Sequence, residues 1–343
     1  MPPTESTLAR EISEAPAAVA RQSEQLRAPI RALAERLRSA PPRVVVTCAR
    51  GSSAHAATFG KHLIERYLGI PVAAAAPNIA TVYGRELRLK DQLFIAVSQS
   101  GRSDDLLEQS KSARAAGAMT VALVNDTDSP LAAMSEFLLP MAAGEEQAVA
   151  ATKSFVASLA AFVHLVAEWS GRKELADGLT RLPERLAQAL HLDWSAALDG
   201  LGKADALIVV GRGPTLAIAR EAALKLKETC GVQAEAYSGA EFLHGPVTLV
   251  APGYPVLLLA PTDEAAGGMS ALAADLAEKR AALYAAGLKV SGAVDLPVLP
   301  AEQAETDAIC MVQTFYGMMP RLAAMRGRNA DSPRHLQKVT RTR

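Results

Sequence analysis

The sequence predicts an α/β protein with two tandem domains, each a parallel, doubly wound sheet flanked by helices. Its length of 343 residues allows about two domains of ordinary size. Short apolar, β-branched runs alternate with helical patterns, which is typical of βαβ units. The strand, turn and helix pattern also occurs twice along the chain, so two similar domains are expected.

The first half of the chain begins with a helical pattern and then alternates between strands and helices. Residues 5–39 predict a helix that ends before Pro41 and Pro42, because proline cannot continue a helix. A strand over 43–48, a Gly/Ser turn and a helix from about 55 to 67 follow. Further apolar runs begin at Ile70, Leu93 and Thr120, and a long helix is expected from about 151 to 169.

The pattern restarts at about Leu201. Arg50-Gly51 matches Arg212-Gly213, and Gly69 matches Gly231, in both cases 162 positions later. At the same spacing Ala-Pro-Thr-Asp replaces Ser-Gln-Ser-Gly, so only the first copy keeps the serine hydroxyls. The expected organisation is an amino-terminal helical segment (1–40), a first, phosphate-binding domain (41–172), a helical linker (173–199), a second domain (200–330) and a carboxyl-terminal tail (331–343).

Composition narrows the classes of function. Lys and Arg together number 36, as do Asp and Glu, so no global basic field would attract nucleic acid or a membrane surface. The start of the chain lacks a signal-peptide pattern and no apolar run reaches bilayer length, so a cytoplasmic protein is expected. Three scattered cysteines favour reduced thiols and no metal site. Without a GxGxxG motif or a Walker lysine, no cofactor is expected.

Two turns rich in hydroxyl groups follow predicted strands. Ser98, Gln99, Ser100, Gly101 and Ser103 come after one strand, and Gly51, Ser52 and Ser53 come after another. Ligands of open α/β sheets bind at the carboxyl ends of the strands, and hydroxyls with helix N-termini hold phosphate well. Ordinary serine-rich turns that cap helices are the alternative.

The second half contains candidate acid/base groups. Lys225 and Glu228 are three positions apart on a predicted helix, so both can face one site, although such pairs are also common on solvated faces. His244 lies in a polar segment, where it could act in proton transfer or have a structural role. The basic tail from Asp331 is, by composition alone, a frayed end or a mild anion patch.

Five ordered motifs resemble the isomerase half of glucosamine-6-phosphate synthase (glutamine-fructose-6-phosphate aminotransferase) and its stand-alone deaminase relatives. That family has two SIS (sugar isomerase) domains with flavodoxin-like parallel sheets, and the resemblance covers residues 40–343. The motifs are SQSG at 98–101, AVAATK at 148–153, ALKLKE at 223–228, EAYxxxExxHGP at 235–246 and PRxLxK at 333–338.

The resemblance implies a role for each matched residue. The serine-containing turns would bind the phosphate and hydroxyl groups, and Val149 and Ala151 would line the sugar. Glu228 would be the base that moves a proton between C1 and C2, with Lys225 as its relay. His244 would open the sugar ring from across a homodimer interface, and Lys338 would form an imine with the ketose. The departures from the family pattern are Arg102 for Glu, Ala151 for Ser and His335 for Asn, and the final residues also differ.

The sequence starts Met-Pro-Pro-Thr, without the amino-terminal cysteine that the glutaminase half of such enzymes requires. The resemblance therefore implies ammonia release, with conversion of glucosamine 6-phosphate to fructose 6-phosphate. Alternatives of the same architecture are a fructosamine-6-phosphate deglycase and a galactosamine-6-phosphate deaminase/isomerase. A sugar-phosphate-binding regulatory protein is the alternative of another class. The exact sugar, the physiological direction, effectors and assembly beyond a dimer stay open.

Overall fold

The structure is a computed structural model that describes residues 6–338 and contains two compact units. The first-sheet unit comprises residues 17–146, 153–180 and 337–338, and the second-sheet unit comprises 6–16, 147–152 and 181–336. Residues 1–5 of the expected helical segment and 339–343 of the expected tail lie outside the described residues. The expected domain boundaries stay a prediction.

The first-sheet unit contains five parallel strands in the order β2-β1-β3-β4-β5. The strands are β1 (Val45–Cys48), β2 (Val72–Ala74), β3 (Leu93–Ser98), β4 (Met119–Val124) and β5 (Phe137–Pro140). Every residue of β1 and β3 is buried, as expected for central strands covered on both faces. This burial explains why both strands are nearly continuous apolar runs.

The second-sheet unit repeats this topology, with the parallel order β7-β6-β8-β9-β10. Its strands are β6 (Ala206–Gly211), β7 (Gln233–Ser238), β8 (Pro255–Leu259), β9 (Ala282–Ala286) and β10 (Val294–Leu296). When the strands of each unit are counted along the chain, both orders read 2-1-3-4-5, which is the flavodoxin-like arrangement. The predicted fold class is confirmed.

Helices flank both sheets. Their bounds are α1 Thr7–Ser13, α2 Ala15–Ser39, α3 Gly51–Leu68, α4 Asn78–Thr81, α5 Asp104–Ala115, α6 Pro130–Met134, α7 Lys153–Ser170, α8 Lys173–Ala189, α9 Leu198–Lys203, α10 Pro214–Lys225, α11 Gly239–Phe242, α12 Ala266–Glu278 and α13 Ala304–Met325. A π-helical turn over Leu226–Cys230 extends α10, and 3₁₀ turns occupy Ser195–Ala197 and Pro246–Leu249. Matched glycines end the corresponding helices, since Gly69 (φ 67°) follows α3 and Gly231 (φ 65°) follows the π-helical turn.

The single helix expected over residues 5–39 is divided at Glu14 into α1 and α2. Pro16 has no N–H to bond the carbonyl of Ile12, four residues earlier. The side-chain amide of Gln313 donates to that carbonyl instead, at 2.7 Å. Pro16 therefore causes a break between α1 and α2 that the helical composition of residues 5–39 did not reveal.

Two helices begin at different positions from those expected. α3 begins at Gly51, four residues before the expected start at His55, so Ser52 and Ser53 belong to its first turn. α7 begins at Lys153 rather than at about residue 151. The early start of α3 matters for the site, because the first N–H groups of a helix have no partner within that helix.

Each sheet has its own apolar core. In the first-sheet unit, Val46, Phe94 and Leu106 are buried in a common cluster. Ile208 and Leu258 belong to the corresponding cluster of the second-sheet unit. No helix within residues 6–338 combines the length and apolar character needed to cross a bilayer.

Candidate active site

The turn after β3 is a compact cradle. The backbone N–H of Gly101 donates to Ser98 Oγ at 3.0 Å, and that of Arg102 donates to Ser100 Oγ at 3.3 Å. Gly101 has φ 61°, and a Cβ at this position would lie 2.1 Å from Ser129 Oγ, so only glycine fits. Because the two serine oxygens accept in these bonds, their hydroxyl protons can still be donated to an anion.

The turn after β1 provides a helix N-terminus. Gly51 has φ 53° and starts α3, which is 18 residues long, with Ser52 and Ser53 in its first turn. The side chain of Arg50, at the N-cap position, does not cap the helix. N–H groups at the start of α3 and the positive end of its dipole suit an anion.

An ion pair joins these two turns. β1 and β3 are neighbours in the sheet, with Cys48 paired to Ala96. Nε and Nη2 of Arg50 lie 2.9 and 2.8 Å from Oδ2 of Asp105, in the first turn of α5. The structure thus brings together the seven predicted cradle residues, at the common edge where β1 and β3 end: Gly51, Ser52, Ser53, Ser98, Gln99, Ser100 and Ser103.

The loop after β4 supports the cradle from the other side. The carbonyl of Gln99 accepts from the backbone N–H groups of Asn125 and Asp126, at 3.3 and 3.2 Å. Nη2 of Arg102 lies 2.8 Å from Oδ2 of Asp126. Arg102 stands where the family pattern has Glu. Its partner is the Asp126 carboxylate, a contact that the five motifs did not predict.

In the second-sheet unit, Lys225 lies between two carboxylates. Its Nζ is 3.4 Å from Oε1 of Glu221 and donates a short hydrogen bond to Oε2 of Glu228. The hydroxyl of Tyr316 donates to Oε1 of Glu221 at 2.9 Å. Glu221 and Lys225 are buried, whereas the Glu228 side chain is 21% exposed. We call Glu221, Lys225 and Glu228 the carboxylate–lysine triad.

The triad fixes the charge of its lysine. Burial alone would lower the pKa of Lys225, but Glu221 and Glu228 raise it above its ordinary value. Lys225 is therefore an ammonium at neutral pH, and a partly exposed carboxylate lies directly against it. Glu228 belongs to the π-helical turn, a rare distortion that is often found at functional sites. This arrangement can accept a proton at Glu228 while Lys225 balances the charge.

His244 lies apart from the triad within the second-sheet unit. It is an exposed residue between α11 and the 3₁₀ turn at 246–249. Over residues 6–338 its side chain makes no hydrogen bond to the triad, and only its backbone N–H is bonded, to the carbonyl of Glu241. Its predicted contribution across a dimer interface stays a prediction.

The predicted sugar-lining residues, Val149 and Ala151, lie in a short segment of the second-sheet unit, residues 147–152. The N–H of Val149 donates to the carbonyl of Asp331 at 3.4 Å. Glu11 of α1, which is buried, accepts from the N–H groups of Gln147 and Ala148 at 2.5 and 3.3 Å. The helix at the start of the chain thus holds this segment in place.

Lys338 belongs to the first-sheet unit, and its Nζ lies 3.3 Å from Oε2 of Glu146. The sequence interpretation missed Glu146, as well as Arg50, Glu221 and Tyr316. Glu221 could have been found, because it lies four positions before Lys225 and faces the same side of α10. No local pattern links Glu146 with Lys338, which are 192 positions apart.

The three cysteines lie in the core, and burial keeps their thiols neutral. Cys48, Cys230 and Cys310 are buried and unpaired in disulfides. Burial raises the pKa of Cys48 and of Cys310 to about 12, which leaves both as neutral thiols. Among residues 6–338, no cluster of His, Cys, Asp and Glu side chains could hold a metal ion.

The chain is similar to proteins with related architecture. Its curated relative from Symbiobacterium thermophilum, a glutamine--fructose-6-phosphate aminotransferase, is 38% identical over 231 residues, which are 63% of this chain and 37% of that enzyme. The chain thus matches well under two thirds of that relative's length.

Solved structures match over nearly the whole chain. A candidate phosphosugar isomerase from Silicibacter pomeroyi DSS-3 is 41% identical, has a TM-score of 0.91 and covers 95% of this chain and 100% of its own. The C-terminal domain of glucosamine-fructose-6-phosphate aminotransferase from Francisella tularensis has the same fold, with a TM-score of 0.85 at 23% identity over 96% of this chain and 99% of that one.

The family model described as the SIS domain matches residues 37–167 and 200–286, which is more than half of the chain. The first range contains all five strands of the first sheet and the serine cradle, and the second contains β6 to β9 of the second sheet. The resemblance inferred from the five motifs is confirmed: the chain belongs to the SIS-domain family.

Proposed function

We propose that this chain is a glucosamine-6-phosphate deaminase, which converts glucosamine 6-phosphate and water to fructose 6-phosphate and ammonia. The observation that carries the proposal is the triad, in which the Glu228 carboxylate lies against the buried ammonium of Lys225. A base of this kind suits proton transfer between C2 and C1 of an open-chain sugar. The broader assignment, an enzyme of the phosphosugar isomerase type, is supported by the description of the Silicibacter pomeroyi protein.

The cradle binds the phosphate ester in this proposal. Two helix N-termini and the hydroxyls of Ser98 and Ser100 can together donate several hydrogen bonds to one anion. Binding energy from the phosphate, which does not react, can be used to orient the open chain for proton transfer.

The proton steps balance without a cofactor. His244 assists ring opening, which gives the 2-amino aldehyde. Glu228 removes the proton at C2 and returns one to C1, while the amine gives up a proton and O1 gains one. The product is the C2 imine of fructose 6-phosphate. Water adds to C2 and ammonia leaves, either directly or after the imine has been transferred to Lys338.

Deamination fits the groups present because it needs only water besides the sugar. The reverse direction would need a supply of ammonia. Lys338 adds to this reading, since a lysine amine that exchanges with the substrate nitrogen at C2 releases that nitrogen as ammonia. Amination and deamination share the same proton transfer, so the direction is a matter for measurement.

A substrate panel tests the proposal. Purified protein is incubated separately with glucosamine 6-phosphate, galactosamine 6-phosphate and 6-phosphorylated fructosamines, and the ammonia or free amine released and the ketose or aldose phosphate formed are measured. We expect equal amounts of ammonia and fructose 6-phosphate from glucosamine 6-phosphate. Preference for galactosamine 6-phosphate or a fructosamine would assign the alternative activities. Binding of the sugar phosphates without any turnover would contradict an enzymatic role and favour a regulatory one.

A further inference from the structure

Lys338 contacts a carboxylate that belongs to neither the cradle nor the triad. Nζ of Lys338 lies 3.3 Å from Oε2 of Glu146. The side chain of Glu146 is fully buried, with 0% exposure, whereas that of Lys338 is 27% exposed. The amine thus lies at the boundary between a buried acid and the space that a ligand could enter.

Glu146 is held in place independently of Lys338. Its Oε1 accepts from the backbone N–H of Ser154 at 3.1 Å, and its Oε2 accepts from the Ser154 hydroxyl at 2.6 Å. Ser154 lies in the first turn of α7, where the positive end of the helix dipole stabilises a carboxylate. Both oxygens are therefore oriented before any substrate arrives.

The segment that carries Glu146 is fixed to the sheet edge that also carries the cradle. The side chain of Asn125, which follows β4, accepts from the N–H of Ala143 at 2.9 Å and donates to the carbonyl of Gly144 at 2.7 Å. The backbone N–H of Asn125 also donates to Gln99 in the cradle. One residue thus links the cradle turn with the segment leading to Glu146.

We propose that Glu146 is a general acid/base residue that holds the amine of Lys338 and exchanges protons with it during imine formation. The inference rests on the proposed function, since it assigns Lys338 a ketose or imine substrate bearing a phosphate. Burial of a carboxylate is costly unless the carboxylate is paired, so the contact of the buried Glu146 with the partly exposed amine of Lys338 calls for a role.

The proton and bond changes balance in this step. The ammonium of Lys338 transfers a proton to Glu146, and the neutral amine attacks C2 of the protonated substrate imine, forming a C–N bond. Glu146 returns that proton to the substrate nitrogen and takes one from the Lys338 nitrogen, the C2–N bond to the substrate nitrogen breaks with release of ammonia, and Glu146 gives its remaining proton to solvent. Water then hydrolyses the imine on Lys338, which releases fructose 6-phosphate and restores the amine.

Reductive trapping tests the inference directly. Full-length protein is mixed with fructose 6-phosphate and sodium borohydride at neutral pH, and labelling of the Lys338 peptide is followed by mass spectrometry. We expect labelling in the wild type and none in Lys338→Arg. Glu146→Gln should label at least tenfold more slowly, because general acid/base groups typically supply ~10²- to 10⁴-fold. The matched control is Glu145→Gln, at the neighbouring exposed carboxylate, which should label at the wild-type rate.

A second variant, together with separate measurements of kcat and KM, distinguishes a loss of proton exchange from a loss of folding. Ser154→Ala removes the hydroxyl donor to Oε2 but leaves both charged groups, so its labelling rate should fall between those of the wild type and Glu146→Gln. For turnover of glucosamine 6-phosphate, both variants should lower kcat and leave KM within about twofold, since the phosphate cradle is intact. A folding defect would instead lower the amount of protein that binds fructose 6-phosphate.

The outcomes distinguish the two proposals. Labelling of Glu146→Gln at the wild-type rate overturns the role of Glu146, and so does a wild type that is not labelled at Lys338. If that unlabelled wild type still releases ammonia, the proposed deaminase function stands without this inference. If the wild type is labelled through Glu146 but releases no ammonia from glucosamine 6-phosphate, the inference stands and the deaminase function fails.

Discussion

At the scale of single residues, the triad places charged side chains in the protein interior. One ammonium and two carboxylates lie together, and two of the three side chains, those of Glu221 and Lys225, are buried. Removing one partner would leave an uncompensated buried charge. The resulting loss in the free energy of unfolding would be far larger than the stability that the intact triad contributes. Because the pKa of Lys225 is raised, its contribution to stability is present at all pH values below its ordinary 10.5 and is lost only above that range.

Glu228→Gln is the residue-scale prediction for activity. The amide keeps the size of the side chain and can still contact Lys225, but it cannot accept the C2 proton. Turnover of glucosamine 6-phosphate should fall by roughly 10²- to 10⁴-fold, while binding of fructose 6-phosphate, measured by calorimetry, should stay within about threefold of the wild-type value. The matched control Glu278→Gln, on the exposed end of α12, should have wild-type kinetics. Near-normal turnover by Glu228→Gln would remove Glu228 from the mechanism.

At the scale of elements, short helices hold the segments that carry the site. α1 has only seven residues, so its own hydrogen bonds cannot make it stable. The carboxylate of Asp331 accepts from the N–H groups of Thr7 and Leu8, at 3.0 and 2.7 Å, and Glu11 in turn holds the segment at 147–148. The amino-terminal helix and the start of the tail therefore support each other.

Asp331→Ala should destabilise the protein through α1. Loss of a capping carboxylate typically costs roughly 0.5–2 kcal/mol, and we expect a decrease of this size in the free energy of unfolding measured in urea. Asp275→Ala, which removes an exposed ion pair with Lys279 in α12, is the control and should change stability by less than about 0.5 kcal/mol. Equal effects of the two substitutions would show that Asp331 does not stabilise α1.

His164, in the buried helix α7, should make the stability of the protein depend on pH. Burial lowers the pKa of His164, against the opposing effect of Glu168, and Nδ1 of His164 is a buried atom without a hydrogen-bond partner. The unfolded chain binds a proton at this residue near the ordinary value of 6.5, before the folded protein does. Stability should therefore fall as the pH drops below 6.5, toward the lowered folded-state pKa.

Denaturation at a series of pH values measures this effect. In His164→Gln the free energy of unfolding should fall less steeply between pH 7 and pH 5 than in the wild type, since the titrating group is gone. His191→Gln, at an exposed histidine just after α8, should keep the wild-type slope. A slope unchanged by His164→Gln would mean that other groups cause the acid sensitivity.

The sequence predicted elements better than it predicted contacts. Alternating apolar runs and helical patterns indicated the strands, because buried parallel strands are apolar on both faces. The start of α3 was placed too late, since Gly51, Ser52 and Ser53 have the composition of a turn although they form the first helical turn. The pair of Glu146 and Lys338 could not be found, because only the folded chain brings positions so far apart into contact.

At the scale of the whole molecule, the two copies of the repeat keep one topology but differ in the side chains of the turn after their third strand. Both units have the strand order 2-1-3-4-5, but Ala260 stands in the second copy where Ser98 stands in the first. The hydroxyl of Thr262, in the same turn, donates to Asp307 at 2.6 Å and so is already used within the unit. The serine cradle lies in the first-sheet unit and the triad lies in the second-sheet unit, so each copy holds a different set of polar side chains.

Subunit complementation tests the predicted homodimer. If His244 acts on the site of its partner, a mixture of inactive Glu228→Gln and His244→Ala proteins forms heterodimers with one complete site each. Random exchange in an equal mixture should then restore about a quarter of the wild-type activity. The ammonia assay measures the recovery, and native mass spectrometry confirms that heterodimers have formed. Heterodimers without activity would contradict a shared site, and a monomeric protein would contradict the dimer itself.

Proton nuclear magnetic resonance of glucosamine 6-phosphate in D₂O, combined with an ammonia assay, shows whether Glu228 moves the C2 proton during deamination. We expect the wild type to form fructose 6-phosphate and ammonia in equal amounts, with deuterium entering at C1 because Glu228 exchanges its proton with solvent. Release of ammonia without a ketose would contradict the proposed deamination. Ketose that carries no solvent deuterium, formed equally fast by Glu228→Gln, would contradict the role of Glu228.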